Sequence, residues 1–177
     1  MKICIDPGHS GPVEPGAVAG KITEADLNLA IALCIGEALT ALAHGITLTR
    51  QGDITDTGLT CRAAVANDWA ADLFLSIHCN SFSSPAACGV ETYHYENSLP
   101  GQALATAIQA QLVELAYTFN RGVKSARYTV LEATDMPAIL VECGFISSAK
   151  DRAILVNPEW QRKIGHAIAN GVQNYFG

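Results

Sequence analysis

Short apolar runs alternate with longer amphipathic stretches along the whole chain. Three runs are nearly continuous, as is typical of strands buried on both faces of a sheet, and they lie at 3–5, 73–78 and 137–141. Mixed or alternating runs predict three further strands, at 46–49, 89–94 and 127–131. The alternation at 89–94 favours a sheet edge for that strand.

The amphipathic stretches predict four helices, which cover 23–42, 59–70, 100–117 and a segment that begins at 157. Thr23 is a typical N-cap with Asp26 three residues later, and apolar residues recur at helical spacing from Leu27 onwards. Asn157 and Pro158 also mark a helix start, because a capping side chain precedes a proline at the first helical position. These signals place the helix starts independently of the apolar pattern.

Alternating strands and helices, with strands that read as buried, predict an α/β fold. We expect a mostly parallel, twisted sheet of about six strands with helices on both faces. The length of 177 residues suits a single domain, and the chain shows no internal repeat, linker or low-complexity tract. We therefore expect residues 1–177 to form one domain.

Composition and charge narrow the classes of function. The chain is 49% apolar and 16% charged, and its formal net charge is −6. An acidic chain is poorly suited to nucleic acid or to an anionic membrane surface, so we expect neither partner. No apolar run approaches the roughly 20 residues of a membrane helix, and no basic-plus-apolar signal segment opens the chain.

Six cysteines are scattered along the chain without a CxxC pair. Several fall inside apolar runs, and we interpret most of them as small buried hydrophobic residues. This use of cysteine fits synthesis in a reducing compartment.

Four polar residues stand out against the apolar pattern. His9 follows the first strand, and His78 and Glu142 each close an apolar run. Glu24 lies in the first turn of the helix that leads away from the same loop as His9. In open α/β sheets, sites lie beyond the carboxyl ends of the strands, so these residues can converge although they are far apart in sequence. Two imidazoles and a carboxylate are typical zinc ligands, and the second carboxylate is then available for proton transfer.

Each of these residues also has a structural interpretation. A histidine at a strand end is commonly hydrogen-bonded within the fold, and Glu24 on its own would favour the helix dipole. Glu142 is harder to explain in this way, because a carboxylate at a buried strand end needs partners. No two of the four residues form a local pair such as HExxH, so spacing alone leaves both interpretations open. We interpret the remaining histidines as structural or surface residues: His44, His94 and His166.

Five blocks of the sequence occur in an order that matches one known family, and they are "IDPGHSG…EPGA", "TEADLNLAIA", "LTRQGD…CRAAVANDWAADLFLSIHCNS", "VLEATDMPAILVECGFISS" and "NPEWQRKIGHAIANGVQNYF". Together they resemble the zinc-dependent N-acetylmuramoyl-L-alanine amidases of the bacterial and phage group often called amidase type 3. The resemblance covers nearly all 177 residues, which makes the match specific.

The resemblance implies a role for each of the four residues. His9, Glu24 and His78 correspond to the zinc ligands, and Glu142 corresponds to the catalytic acid/base. The implied reaction is the zinc-dependent hydrolysis of the amide bond between N-acetylmuramic acid and L-alanine in peptidoglycan. Glu142 would take a proton from the attacking water and pass it to the departing amine. The whole chain, 1–177, would then be one catalytic amidase domain.

Further positions near the predicted site have expected roles. Asn80 comes just after the second histidine, and Arg127 begins a predicted strand that would line the groove, so both are candidate substrate contacts. The turn at 6–8 is expected to aim His9 at the metal. Gly8 within this turn is expected to leave space for the close approach of backbone and substrate.

Other functions remain open beside this one. Another zinc peptidoglycan hydrolase, a peptidase or a deacetylase, would use the same ligands. A non-catalytic wall-binding module would need none of them. Nucleophilic catalysis by Cys79 or Cys143 is a third alternative.

The biological setting is a separate expectation. The substrate lies in the extracytoplasmic cell wall, so the lack of an export signal favours a phage or prophage lysin released through a membrane lesion, or a domain excised from a longer protein. Some exported relatives insert a helix that blocks the zinc, and the connection at 96–99 is too short to contain one. We therefore expect an open groove and no obligatory activator protein.

Overall fold

A computed structural model describes residues 1–54 and 58–177. Within these residues the chain forms eight strands: β1 (Lys2–Pro7), β2 (Val18–Ala19), β3 (Ile22–Thr23), β4 (Gly45–Leu48), β5 (Leu73–Asn80), β6 (Val90–His94), β7 (Asn120–Ser125) and β8 (Ala138–Phe145). It also forms six helices: α1 (Glu24–Ala41), α2 (Leu59–Asp68), α3 (Leu99–Glu114), α4 (Thr129–Glu132), α5 (Ala149–Leu155) and α6 (Pro158–Phe176). Strands and helices alternate through most of the chain, as the apolar pattern predicts.

Six strands form one sheet in the order β4-β1-β5-β8-β6-β7. Neighbouring strands run parallel except for β6 and β8, which are antiparallel. The two remaining strands, β2 and β3, form a small antiparallel pair just before α1. This arrangement confirms the predicted α/β fold with a mostly parallel sheet of six strands.

Two strand predictions on one side of the sheet are wrong. The strand predicted at 89–94 exists as β6, but it lies between β8 and β7 rather than at an edge. The sheet continues past β6 because β7 pairs with it, and the polar sequence NRGVKS of β7 carries little strand signal. The segment 127–131 is not a strand, because its second half belongs to the short helix α4. The segment is rich in β-branched and aromatic residues, which are common in strands, and for this reason its pattern wrongly predicted a strand.

The long helices begin at the predicted caps. Thr23 Oγ1 accepts a hydrogen bond from the N–H of Asp26. Asn157 Oδ1 accepts hydrogen bonds from the N–H groups of Glu159 and Trp160. Helices α2 and α3 end a little earlier than predicted. The capping signals were therefore better guides to the helix ends than the apolar pattern.

Helices cover both faces of the sheet. Helices α1, α3 and α6 pack on one face around the larger apolar core, and α2 and α4 cover the other face around a smaller core. Alternate residues of β1 belong to different cores, since Ile3 and Ile5 join the larger one and Cys4 the smaller. Among the residues described, no helix combines the length and the apolar character needed to cross a membrane.

All six cysteines are free thiols. Three of them are buried, as predicted: Cys4, Cys79 and Cys143. Cys34 and Cys88 are half-buried, and Cys61 is exposed on α2. The prediction that most of the cysteines are buried is therefore wrong, because only three of the six are buried.

Candidate metal and catalytic site

Three adjacent strands bring the predicted site residues to one edge of the sheet. Strands β1, β5 and β8 are neighbours and run parallel, so their carboxyl ends meet there. His9 follows the end of β1, and His78 near the end of β5 is paired in register with Glu142 on β8. Glu24 is the first residue of α1, beside the loop that carries His9. The structure thus brings all four predicted residues together.

The carboxylate of Glu24 lies between the two imidazole rings. Glu24 Oε2 is 3.0 Å from His9 Nε2, and Glu24 Oε1 is 3.0 Å from His78 Nδ1. The N–H groups of Ala17 and Cys79 also donate to this carboxylate, at 3.0 and 3.3 Å. One ligand atom from each of the three residues lies within 4.8 Å of the others, so this group can hold a metal ion.

The charges of these three residues are strongly coupled. Burial alone would raise the pKa of Glu24, but its hydrogen bonds with His78 and His9 hold that pKa well below its usual range. Burial lowers the pKa of each imidazole, but the neighbouring carboxylates more than offset this, and both pKa values are raised. These carboxylates are Glu24 and Glu14 for His9, and Glu24 and Glu142 for His78. A metal cation that binds here would displace protons from the imidazoles, which makes metal affinity dependent on pH.

The loop that carries His9 has an unusual backbone. His9 has a φ of 64°, in the left-handed region that residues other than glycine seldom adopt. Arg62 donates to the carbonyl oxygens of Pro7 and His9, at 2.9 and 2.6 Å. Arg50 donates to those of Pro7 and Gly8, at 2.9 and 3.0 Å. Two buried arginines therefore hold the main chain of this loop in place.

Asp6 balances part of the charge of these arginines. Its Oδ1 lies 2.8 Å from Arg62 Nη1 and accepts a hydrogen bond from Thr49 Oγ1 at 2.6 Å. Its Oδ2 accepts from Ser76 Oγ at 2.8 Å. A buried ion pair is favourable only when its remaining hydrogen-bonding atoms are also satisfied, and these contacts meet that condition.

Glu14 is an acidic neighbour of the site that the sequence analysis did not single out. Its carboxylate contacts Nδ1 of His9, while Nε2 of the same ring faces Glu24. Such a contact fixes the orientation of the ring and makes its other nitrogen a better metal ligand. Its place in the block EPGA was the one available signal. Arg50 and Arg62 also lie in one of the quoted blocks, but they act through main-chain carbonyl oxygens, so nothing in the local sequence indicated that role.

Two glycines provide the space that the imidazole rings occupy. A Cβ atom at Gly8 would lie 2.3 Å from the ring of His78. A Cβ atom at Gly16 would lie 2.5 Å from the ring of His9 and 2.6 Å from Glu24 Oε2. The expectation that Gly8 leaves space for substrate is therefore wrong, because an imidazole fills that space.

Glu142 differs from the three clustered residues in having an unpartnered oxygen. Its Oε2 is buried and has no hydrogen-bond partner in the part of the chain that the structure describes. Burial raises the pKa of Glu142 to about 7, with His78 opposing the rise and Glu24 and Glu91 adding to it. A carboxylate poised between its two protonation states near neutral pH is suited to exchanging protons.

The four residues line one groove of about 660 Å³. Asn80 and Arg127, the predicted substrate contacts, line the same groove. Asn80 Nδ2 donates to Glu91 at 2.8 Å, and Arg127 Nε lies 2.7 Å from a carboxylate oxygen of Glu96. Their location thus agrees with the prediction, and their contact with substrate stays a prediction.

The buried cysteines next to the site are poor nucleophiles. Cys79 and Cys143 belong to the larger apolar core. Burial raises the pKa of both thiols, and that of Cys79 lies well above its ordinary value. Because the thiolate is the reactive form, this environment disfavours catalysis by cysteine. The remaining histidines do not line the groove: His44, His94 and His166.

Comparison with known proteins gives a consistent result. A family model described as N-acetylmuramoyl-L-alanine amidase matches residues 3–174 of this chain. The sporulation-specific N-acetylmuramoyl-L-alanine amidase of Bacillus subtilis (strain 168) is 35% identical, and the match covers 99% of this chain and 68% of that protein. The similarity in sequence therefore spans nearly every element of the fold.

Several solved structures share this fold, among them two amidases of known source. The catalytic domain of CwlV, an N-acetylmuramoyl-L-alanine amidase from Bacillus (Paenibacillus) polymyxa var. colistinus, matches with a TM-score of 0.92 at 33% identity, over 99% of this chain and 97% of that one. The CwlD amidase from Clostridioides difficile, solved in complex with the GerS lipoprotein, matches with a TM-score of 0.93 at 30% identity, over 99% and 98% of the two chains. Both likenesses extend over the strands that form the groove.

Proposed function

This chain belongs to the N-acetylmuramoyl-L-alanine amidase family, whose members hydrolyse peptidoglycan, and on that premise we propose that it acts as a zinc enzyme. The bond cleaved is the amide between N-acetylmuramic acid and L-alanine. His9, Glu24 and His78 are the metal ligands, and Glu142 is the catalytic acid/base. The observation that carries this proposal is the approach of one ligand atom from each of the three residues to within 4.8 Å of the others.

The donor atoms fit zinc better than the other common divalent metals. Two imidazole nitrogens with one carboxylate make a ligand set of catalytic zinc sites, whereas calcium and magnesium prefer sites built from oxygen atoms. When bound, zinc supplies a Lewis acid that polarises the scissile carbonyl and lowers the pKa of a water molecule to about 7. Structural zinc sites have four protein ligands, and the described residues of this site offer three.

Glu142 carries both proton transfers. Its Oε2 accepts a proton from the attacking water, because no described residue competes for that oxygen. Burial raises the pKa of Glu142 and so favours its protonated form, which suits the return of the proton to the departing amine, a group too basic to leave as an anion. Glu24 is unsuited to this task, since both of its oxygens contact histidine and its pKa is held low.

The groove is proposed to be open without a partner protein. Strand β6 ends at His94 and α3 begins at Leu99, with Ser98 as the N-cap, so residues 95–98 alone connect them. This connection has no length for an inhibitory helix. The CwlD relative forms a complex with a lipoprotein, so family membership does not itself argue against an activator. The proposal that this chain needs no activator protein rests on the short connection alone. The purified chain should therefore release product from cell walls with no other protein present.

The site of action follows from the substrate. Peptidoglycan lies outside the cytoplasm, and the chain is proposed to act there as one catalytic domain, since the family match spans residues 3–174. A lysin of phage type and a catalytic domain of a longer protein both satisfy this condition.

Mass spectrometry of digested peptidoglycan tests the reaction. An amidase frees stem peptides that begin with alanine and leaves the acetyl groups on the glycan. A zinc peptidase would cut within the stem peptide, a deacetylase would release acetate, and a wall-binding module would release nothing. Each of these three results would overturn the proposal. Chelation should abolish the amidase activity, and added zinc should restore it.

A further inference from the structure

A second group of charged residues lies beside the groove, around the buried Glu91 of β6. The side chain of Glu91 is 2% exposed. Its Oε1 accepts hydrogen bonds from Asn80 Nδ2 and Tyr93 Oη, both at 2.8 Å. Its Oε2 accepts from Arg121 Nε at 2.6 Å and from Lys124 Nζ at 2.5 Å. We call these five residues the Glu91 cluster.

The Glu91 cluster lies next to the groove, on the side of the sheet toward β7, and Asn80 is the cluster member that lines the groove. Glu91 is paired with Glu142 in the antiparallel register of β6 and β8, so both side chains project from the same face of the sheet. Asn80 lines the groove and also donates to Glu91. The ring of Tyr93 packs 5.2 Å from that of Tyr128, which lines the groove as well. The cluster is therefore continuous with the proposed catalytic site.

The cluster contains more positive charge than its carboxylate can balance. Two cations, Arg121 and Lys124, contact one carboxylate, which leaves one net positive charge within the cluster, in a chain whose formal net charge is −6. Burial alone would raise the pKa of Glu91, but the hydrogen bonds from Lys124, Arg121 and Tyr93 hold it below its ordinary value. The carboxylate is thus ionised, and a single cation would have sufficed to balance it.

Both cations keep hydrogen-bonding capacity toward solvent. The side chains of Arg121 and Lys124 are 33% and 37% exposed. Among the described residues, Lys124 Nζ donates to Glu91 alone, and an ammonium group has three protons. Arg121 donates to Glu91 and, at 3.4 Å, to the carbonyl oxygen of Cys88, which leaves part of its five-donor guanidinium unused.

The two cations are also held in place before any ligand arrives. The guanidinium of Arg121 lies 5.0 Å from the centre of the Phe145 ring, and Lys124 Nζ lies 5.7 Å from that of Tyr93. With the bonds to Glu91, each cation is fixed at two points, and Arg121 also at the carbonyl oxygen of Cys88. Such preorganisation lowers the entropy that binding an anion would cost.

We propose that Arg121 and Lys124 form a subsite for a carboxylate on the peptide part of the substrate. This inference rests on the proposed amidase function and adds a specificity for the stem peptide. Strand β6 lies between β8, which carries Glu142, and β7, which carries the two cations. The distance from Glu142 to the cations is therefore two strand spacings, or about 10 Å. An extended peptide advances about 3.3 Å per residue. The recognised carboxylate therefore belongs to the second or third residue of the stem peptide, counted from the alanine at the cleaved bond.

Paired substrates test the subsite. One substrate is a set of soluble peptidoglycan strands, and the other is the same material after its carboxylates have been coupled to ammonia as carboxamides. We expect kcat/KM to be roughly tenfold higher for the carboxylate form, the effect of one charge-assisted hydrogen bond. The difference should lie mainly in KM and shrink at high salt, because the contact is remote from the reacting atoms and partly exposed.

Single variants assign the effect to the two cations. Arg121→Gln and Lys124→Gln each leave the other cation on Glu91, so the buried carboxylate remains paired. Each should lose most of the preference for the carboxylate form and keep its rate on the carboxamide form. Lys163→Gln is the matched control, because it removes a cation from a surface ion pair with Glu159, at 2.8 Å on α6. Metal content and melting temperature are measured for every variant to confirm an intact site.

Two different results would overturn two different statements. If the wild type cleaves both substrates equally, or the variants lose equal activity on both while metal content is unchanged, the subsite is wrong and the amidase function stands. If the wild type frees no alanine-ended peptide from either substrate, the proposed function is wrong, and the subsite falls with it.

Discussion

The site has a loop half, which contains His9, and a strand half, which contains His78 and Glu142, and the fold holds these two halves in place differently. His9 lies on a loop with a left-handed backbone, and the side chains of Arg50 and Arg62 hold the carbonyl oxygens of that loop. His78 and Glu142 lie opposite each other on adjacent parallel strands, where the main-chain ladder of the sheet positions them. One side chain can therefore disturb the loop half, whereas the strand half depends on many hydrogen bonds at once.

This difference predicts two kinds of mutational effect. Replacing a support of the loop half should change metal affinity, because it moves a ligand. Replacing a residue of the strand half should change ionisation and proton transfer, because the strand geometry persists. Glu24 contacts both imidazoles and so joins the two halves.

The largest expected effect separates the two glutamates. Glu142→Gln removes the proposed proton acceptor and keeps its shape, so the rate should fall roughly 10²–10⁴-fold while zinc stays bound. Glu24→Ala removes a proposed metal ligand, so zinc content and activity should fall together. Atomic absorption measures the zinc, and dye release from labelled peptidoglycan measures the activity.

Excess zinc provides the control for this comparison. It should restore part of the activity of Glu24→Ala and none of that of Glu142→Gln. Loss of zinc from Glu142→Gln, or full zinc and full activity in Glu24→Ala, would show that the roles are assigned wrongly. Substantial lysis by a zinc-replete Glu142→Gln protein would contradict the mechanism even with the ligands correctly named.

The second prediction concerns the stability of the protein after its metal has been removed by chelation. Burial raises the pKa of Glu142 from 4.5 to about 7, so the folded state binds this proton more tightly than the unfolded state does. The group has no effect on stability well below pH 4.5, where it is protonated in both states. The destabilisation grows as pH rises from 4.5 to about 7, and at higher pH it reaches a plateau of roughly 3 kcal/mol.

Glu142→Gln cannot ionise, so it should escape this penalty. Its free energy of unfolding, relative to that of the wild type, should increase as pH rises from 4.5 through about 7 and then level off. Urea unfolding of both proteins across this range measures the difference, and the other titrating groups largely cancel because both proteins contain them. A difference that stays constant with pH would contradict the raised pKa.

Elements with strong local signals were predictable from the sequence. Buried strands and capped helices are encoded within a few residues, as the cap residues Thr23 and Asn157 show. Strand β7 was missed because an edge strand needs few apolar residues. Since β7 was missed, its neighbour β6 was wrongly placed at the edge of the sheet. Strand order depends on pairing between distant segments, which no local pattern encodes.

Prediction of the site residues was limited in the same way, because local signals were detected and contacts between distant segments were not. His9, His78 and Glu142 are detectable because a polar residue that ends an apolar run is locally conspicuous. Glu24 was assigned through the family resemblance, since a glutamate in a first helical turn has an ordinary explanation. Arg50 and Arg62 were not detected, because they act on main-chain atoms of a loop more than 40 residues away in the sequence.

A third, smaller effect is expected from a support of the loop half. Arg62→Lys keeps the charge beside Asp6, but an ammonium group cannot reproduce the planar fork that reaches Pro7 and His9. We expect the zinc dissociation constant to rise roughly tenfold to a hundredfold, with kcat close to that of the wild type once zinc is saturating.

Competition with a chromophoric chelator measures that dissociation constant. Arg152→Lys is the matched control, because Arg152 also donates to a carbonyl oxygen, that of Ile146 at 2.7 Å, but lies on α5 away from the groove. Unchanged zinc affinity in Arg62→Lys would show that the loop holds His9 without the arginine, and the contrast between the two halves would then be wrong.

The smallest expected effect comes from Glu14, which contacts His9 from the solvent side. Its side chain is 42% exposed, so solvent screens its charge, and Glu14→Gln should weaken zinc binding by about tenfold or less. The same carboxylate is one of the contacts that raise the pKa of His9. Its removal therefore also weakens the competition between protons and zinc for this imidazole.

These two consequences of Glu14→Gln oppose each other, and pH separates them. Above the pKa of His9 the proton is already absent, so the loss of zinc affinity should appear in full. As pH falls, protons compete less strongly in the variant, so its disadvantage should shrink. Zinc titrations at several pH values measure this, with Glu159→Gln on α6 as a control that should match the wild type throughout. A loss that is equal at every pH would mean that Glu14 only orients the ring and leaves the proton affinity of His9 unchanged.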